Sequence, residues 1–341
     1  MKKLVSFIAV LVMLSVLLAA CAPAAPATEA PMAEAPAAEA PAAEAPAAEE
    51  PAADKFFVFL PKGLDNPYWD ACRKGMEAKM AELGVKAEFI GPAKSNAAEQ
   101  VQMFESVIAR KPAAIAVSPN DPATVQDAIS KAMAAGIPVI TWDADAPDSE
   151  RLLYIGTDNE AAGYTAGKKL AEILGGKGEV AILHGSLTAL NAVQRVTGFE
   201  KAIAEYPDMK IVATEATEDS LETATSKAEA LLQAYPNLAA FYGVTGSGVP
   251  GAATAVTGAG KCGMVKVVGF DVVPQGIEFM KAGCVDALIS QRPFGMTAQA
   301  LEILIGLSEG KTVEEVGGVN VDTGVEVVTP DTLETYLTTD H

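Results

Sequence analysis

Three short apolar runs, VITW, VKVVGF and ALIS, are each followed at once by a residue with side-chain oxygens: Asp143, Asp271 and Gln291. Carboxylate and amide oxygens at the carboxyl ends of buried strands are acceptors and donors that an open parallel sheet presents to a ligand. A fourth run, FFVFL, leads into Asn66-Pro67-Tyr68-Trp69. Aromatic rings there can stack on the C–H face of a polyhydroxylated ring while Asn66 bonds its hydroxyls; equally, both rings could fill a core. Asn191 and Arg195 stand four apart, on one helical face, after the run EVAILHG. Arg offers a planar fork of donors to paired oxygens, although such a pair also suits a solvated face. Strand-end acids by themselves often only cap the next helix. Together, the set has the acceptors, donors and apolar platform that a polyol requires.

Other chemistries fit less well. Two histidines and four cysteines leave little for a transition-metal site, and one histidine, His341, is the last residue. His184 ends the run EVAILH, where it could face a cleft or bond nearby backbone. Asp143 and Asp145 begin no calcium loop, because Asp148 stands where Gly is required and Tyr154 where Glu is required. Gly246-Ser247-Gly248-Val249-Pro250-Gly251 matches the dinucleotide fingerprint, with Asp271 placed as its ribose acid. Against that, Pro250 would disturb the helix start, and an exported chain with Lys2-Lys3 lacks the twin-Arg signal of preloaded proteins. No catalytic residues, metal or cofactor are expected. The net charge of −19 argues against nucleic acid or an anionic lipid surface as a partner, since both need basic faces.

The elements that must position these groups follow from the hydrophobic pattern. Residues 1–21 read as a leader: Lys2 and Lys3, an apolar run, then Leu18-Ala19-Ala20-Cys21. Small residues before Cys21 resemble a bacterial lipobox, so Cys21 is expected to carry a lipid that holds the protein on a membrane. Residues 22–54 repeat AEAPA and hold seven acids with no base. This composition predicts a disordered tether reaching on the order of 100 Å when extended. From Lys55, apolar runs alternate with helical stretches: FFVFL, AEFIG, AAIAVSP, IPVITW and LLYIG, then EVAILHG, KIVATEA, AAFYGV, VKVVGF and DALIS. Asn66-Pro67, Asn96 with Glu99, and Asp121-Pro122 read as helix starts, Gly84 and Gly136 as helix ends. Repeated βα units imply α/β architecture with parallel sheets covered on both faces. Two sets of this size imply two lobes, with the chain passing between them beyond Thr157. Cys262 and Cys284 precede neighbouring strands, and in an oxidising compartment they could form a disulfide.

From Lys55 onward the chain resembles the periplasmic sugar-binding proteins of ABC importers, of the ribose/xylose/galactose type. GSLTALNAVQRVTGF, YIGTDNEAAGYTAG, SQRPF and VDTGVEVVTP look closest to a glucose- and xylose-binding branch. The resemblance implies the type I periplasmic-binding-protein fold: two Rossmann-like lobes joined by three crossing strands, closing on one sugar. It implies lobes of residues 55–157 with 292–322 and of residues 158–291 with 323–341. It implies a sugar site of Asn66, Tyr68, Trp69, Asp143, Asn191, Arg195, Asp271 and Gln291, with the two rings sandwiching the sugar. Lys62 occupies a position that reaches the site in autoinducer-binding relatives. Ala144 stands where ribose binders carry Arg, which argues against ribose; Thr245-Gly246 replaces the usual Asn-Asp. The implied protein is an extracytoplasmic, lipid-anchored monomer that takes a glucose- or xylose-like aldopyranose to an ABC permease and is not an enzyme. An exported sugar-acting enzyme and a sugar sensor for a chemoreceptor are the alternatives.

Overall fold

The computed structural model describes residues 55–338; the leader, Cys21, the Ala/Pro/Glu tract and His341 lie outside them. The first sheet is built from β1 (Phe56–Leu60), β2 (Lys86–Phe89), β3 (Ala114–Val117), β4 (Val139–Trp142), β5 (Tyr154–Gly156) and the late β11 (Asn320–Asp322). Its order is β11-β5-β4-β3-β1-β2 and every pair is parallel. The second sheet takes β6 (Lys177–His184), β7 (Asp208–Ala216), β8 (Leu238–Gly243), β9 (Lys266–Phe270), β10 (Ala287–Ser290) and β12 (Glu326–Val328). It runs β12-β10-β9-β8-β6-β7, parallel except where β12 lies antiparallel on β10. Strands β3, β4 and β10 are buried at every position, as strands covered on both faces must be.

Helices α1 (Tyr68–Leu83), α2 (Ala97–Ala109) and α3 (Pro122–Ala134) connect strands of the first sheet. Their ends obey local chemistry: Asn96 accepts from Glu99 N at 3.0 Å, Asp121 accepts from Ala123 N at 2.8 Å, and α1 stops at left-handed Gly84. Helices α4 (Asn159–Leu174), α5 (Leu190–Ile203), α6 (Leu221–Ala234), α7 (Gly248–Gly258) and α8 (Pro274–Lys281) serve the second sheet, while α9 (Pro293–Ser308) returns to pack on α1. The chain therefore passes between the two sheets at three places: after β5, after β10, and between β11 and β12. Each lobe has two apolar clusters, one per sheet face.

Two glycines fix how α5 stands. A Cβ at Gly163 would come within 2.0 Å of the Arg195 carbonyl oxygen, and one at Gly198 within 1.9 Å of the Glu160 carbonyl oxygen. Helices α4 and α5 thus cross in backbone contact, which aims the start of α5, with Asn191 and Arg195, at the other lobe. Glycines of the fingerprint-like stretch have a similar job. A Cβ at Gly251 would meet Ala224 at 2.5 Å, and one at Gly248 would meet Gly243 at 3.0 Å, so these residues seat α7 on its neighbours. Cys262 and Cys284 are joined as a disulfide.

Candidate functional site

All eight expected residues line one hollow between the lobes, together with Lys62, Ser95, Asp219 and Thr245. The open space among them is about 20 Å³, about what one water fills, so the side chains are drawn closely together around it.

Asp143 follows β4 in a left-handed conformation, φ 61°, and is 3 % exposed. Its Oδ2 collects three contacts: Ser118 Oγ at 2.7 Å, Lys62 Nζ at 3.2 Å and Asn191 Nδ2 at 3.5 Å. Asn191 belongs to α5 of the other lobe, and its Oδ1 accepts from Lys62 Nζ at 2.8 Å. A second cross-lobe bond runs from Thr188 Oγ1 to the Asn120 carbonyl at 3.3 Å. The lobes are therefore held together directly around the hollow.

The second lobe contributes a hydrogen-bonded chain of positioned groups. Arg195 is 1 % exposed; Nε donates to Asn159 Oδ1 at 2.8 Å, Nη1 to the Val244 carbonyl at 3.1 Å, and Nη2 to Gln291 Oε1. Its guanidinium also lies 4.0 Å from the centre of the Phe270 ring, a cation–π arrangement. Gln291 in turn donates from Nε2 to Asp271 Oδ1 at 2.6 Å and accepts from Thr157 Oγ1 at 3.3 Å. Thr157 and Gln291 stand on two of the three crossings, so this bond ties the hinge to the site. Asp271 also follows its strand in a left-handed conformation, φ 80°. Burial pushes its carboxyl up to about 6, against the lowering effect of Arg195 and the Gln291 bond.

At the first lobe, Asn66 Oδ1 accepts from Tyr68 N at 3.0 Å just ahead of α1, whose N-cap position is Pro67 rather than the expected Asn66. Tyr68 and Trp69 are each 4 % exposed. Their rings meet edge to face, 5.0 Å apart at 78°, and Trp69 meets Trp142 in the same way at 5.4 Å. The expected sandwich is corrected here: the two rings form one corner of the hollow, not opposite walls. With their centroids 5.0 Å apart and their planes at 78°, the rings touch one another and leave no slot for a sugar between them. Both rings also belong to the lobe's apolar core, as the second reading of this pair expects.

Ser118, Asp219 and Thr245 were not singled out as site residues, yet each follows a strand's carboxyl end, β3, β7 and β8 respectively. The strand-end rule applied to every strand finds Ser118 and, past Val244, Thr245, but not Asp219, which stands behind Thr217 and Glu218. His184 ends β6 buried; its carbonyl accepts from Thr217, and burial holds its imidazole below the ordinary value. It is not among the residues lining the hollow. Asp145 pairs with Arg151 at 2.5 Å, and no cluster of metal-ligating side chains occurs among the described residues.

Comparison with known proteins agrees with this architecture. The periplasmic binding protein domain family matches residues 57–312. The D-allose-binding periplasmic protein of Escherichia coli K12 is 29% identical over 268 residues, 75% of this chain and 86% of that protein. A solute-binding protein of an ABC transporter from Burkholderia graminis, in complex with D-arabinose, superposes with a TM-score of 0.79 at 35% identity, covering 84% of this chain and 99% of that one. GanP, a glucose-galactose binding protein from Geobacillus stearothermophilus, gives 0.77 at 35% identity, covering 82% and 99%. A match across most of the folded part, two lobes with parallel sheets and a hollow between them place this chain in the periplasmic binding protein family.

Proposed function

We propose that this protein is the extracytoplasmic receptor of an ABC importer, capturing one neutral monosaccharide, an aldopyranose of the glucose or xylose kind, between its lobes and delivering it to the permease. The observation that carries this reading is the meeting of Asn66, Asp143, Asn191, Arg195, Asp271 and Gln291 with the Tyr68–Trp69 corner in one buried hollow. Relatives named for D-allose, D-arabinose and glucose-galactose support an aldose. Contacts from three groups fall on Asp143 Oδ2, which leaves Oδ1 to accept a ligand hydroxyl. Asp271 accepts a second, and the Asn66 amide nitrogen donates, since its oxygen is engaged by Tyr68 N.

We assign residues 55–157 with 292–322 to one lobe and residues 158–291 with 323–341 to the other. A sugar bridging them favours closure because it binds only the closed arrangement well. Lipidation of Cys21 and the Ala/Pro/Glu tether would keep a monomeric receptor beside its permease. The protein works by binding alone, without cofactor or turnover.

A thermal-shift and calorimetric screen of purified protein against D-glucose, D-xylose, D-ribose, D-allose and D-arabinose tests the reading, because a ligand of the native state raises the melting temperature. Saturable one-to-one binding without product is expected. Conversion of any of these sugars would favour an exported enzyme instead.

A further inference from the structure

Asp219 lines the hollow, is 8 % exposed, and its Oδ1 is buried without a hydrogen-bond partner among the described residues. An unpaired buried carboxylate oxygen costs several kcal/mol unless something donates to it. The ordinary duties of an acid in this position are taken by others. Ser220, the next residue, is the N-cap of α6, accepting from Thr223 N at 3.2 Å. No ion pair to Asp219 occurs among the described residues, whereas Asp143 has Lys62 and the half-buried Asp145 has Arg151.

The carboxylate is also held in place. Glu218 and Asp219 are both left-handed, φ 50° and 56°, a conformation that non-glycine residues adopt at a cost. Thr217 fastens the turn, its N and Oγ1 each donating to the His184 carbonyl at 2.8 Å, and Ser220 N donates to the Thr217 carbonyl at 2.9 Å. Oδ1 lies over the backbone of Gly185, where an added Cβ would come within 2.6 Å of it. Asp65, on the loop after β1, has its carboxyl raised, first by partial burial, against a bond to its own backbone and Lys94, with Asp219 adding the smallest effect. Asp219 thus makes this end of the hollow an acceptor, with the His184 imidazole as its titratable neighbour.

We propose that Asp219 contacts the ligand, its Oδ1 accepting a sugar hydroxyl, so that the site requires a hydroxyl at that end and rejects sugars bearing a carboxylate or phosphate there. The inference rests on the monosaccharide reading above and adds a specificity-determining residue to it.

Calorimetry on the full folded protein tests it. The best-bound of the five sugars named above is compared with its mono-deoxy derivatives on wild type, Asp219→Ala, Asp219→Asn and Asp143→Ala. Asp219→Ala is expected to weaken the parent sugar about 10–100-fold. One deoxy derivative should bind wild type poorly yet lose nothing further on Asp219→Ala, because the hydroxyl and its acceptor are two halves of one bond. Should Asp219→Ala unfold, Asp219→Asn carries the same comparison. Affinities within about twofold of wild type, with Asp143→Ala defective, overturn the role of Asp219 alone. A loss equal across the parent and every deoxy derivative assigns Asp219 to the scaffold and overturns it too. Absence of binding to all five sugars by wild type removes the monosaccharide reading and this inference with it.

Discussion

Lys62 Nζ, on the loop after β1, donates to Asn191 Oδ1 on α5 of the opposite lobe at 2.8 Å, while standing 3.2 Å from Asp143 Oδ2. One ammonium thus neutralises the first lobe's acid and latches it to the second lobe. Removing it leaves a buried carboxylate unpaired, a change that costs about 3–5 kcal/mol where the group stays buried. Lys62→Met should therefore disfavour the closed arrangement, in which Asp143 is shielded, more than the open one. Small-angle scattering is expected to show a larger radius for the variant at sugar concentrations that compact wild type. Equal compaction of the two proteins would deny Lys62 the latch role.

Asp143→Ala removes the acceptor around which Ser118, Lys62 and Asn191 are arranged, leaving Ser118 Oγ and Asn191 Nδ2 without it and the Lys62 ammonium without its counter-charge, though still bonded to Asn191 Oδ1. Sugar affinity should fall by roughly 2–5 kcal/mol, the range for breaking a buried charged hydrogen-bonded group. Calorimetry reads this directly; an unchanged dissociation constant would take Asp143 out of the site.

The alternation of apolar runs with capped helical stretches was enough to announce two parallel-sheet lobes, because a βα repeat has few ways to bury its faces. Asp143, Asp271 and Gln291 were visible for the same reason, each being the first polar residue after a buried strand. What sequence did not convey depends on long-range geometry. Lys62 and Asn191 are 129 residues apart, and nothing local links them. Asp219 reads as one more acid near a helix start, and only the Ser220 cap leaves it for other work. Nor does composition reveal that Asp143, Asp219 and Asp271 are all left-handed. Such conformations are imposed by the surrounding packing and concentrate at working sites.

Binding should be coupled to a proton near pH 6. Burial raises Asp271 to about 6 from an ordinary 3.8, so in the sugar-free protein its neutral form predominates below about pH 6 and its carboxylate above. The stability that this group contributes is complete below about pH 3.8 and is lost as pH rises through about 6. A sugar hydroxyl donating to Asp271 favours the carboxylate, lowers its pKa and releases a proton on binding. Affinity should thus rise with pH across this window, by less than tenfold per pH unit for one proton. Calorimetry at about pH 5.5 in two buffers of different ionisation heat should give different apparent enthalpies. Identical enthalpies, or tighter binding on acidification, would contradict the role given to Asp271.

The chain has two tryptophans, and both belong to the site region: Trp69 lines the hollow, and Trp142 immediately precedes Asp143 with its ring 5.4 Å from that of Trp69. Trp142 is fully buried, whereas Trp69 borders the space where a sugar would replace solvent. Titration with the bound sugar should therefore change the intrinsic emission, with Trp69 as the main reporter. In Trp69→Phe most of that response should vanish, and affinity should weaken by about 1 kcal/mol as part of the apolar platform is lost. In Trp142→Phe the response should persist, although the thermal midpoint should fall because a large core ring has been reduced. If the emission change instead survives in Trp69→Phe and disappears in Trp142→Phe, the sugar does not sit against the corner formed by Tyr68 and Trp69.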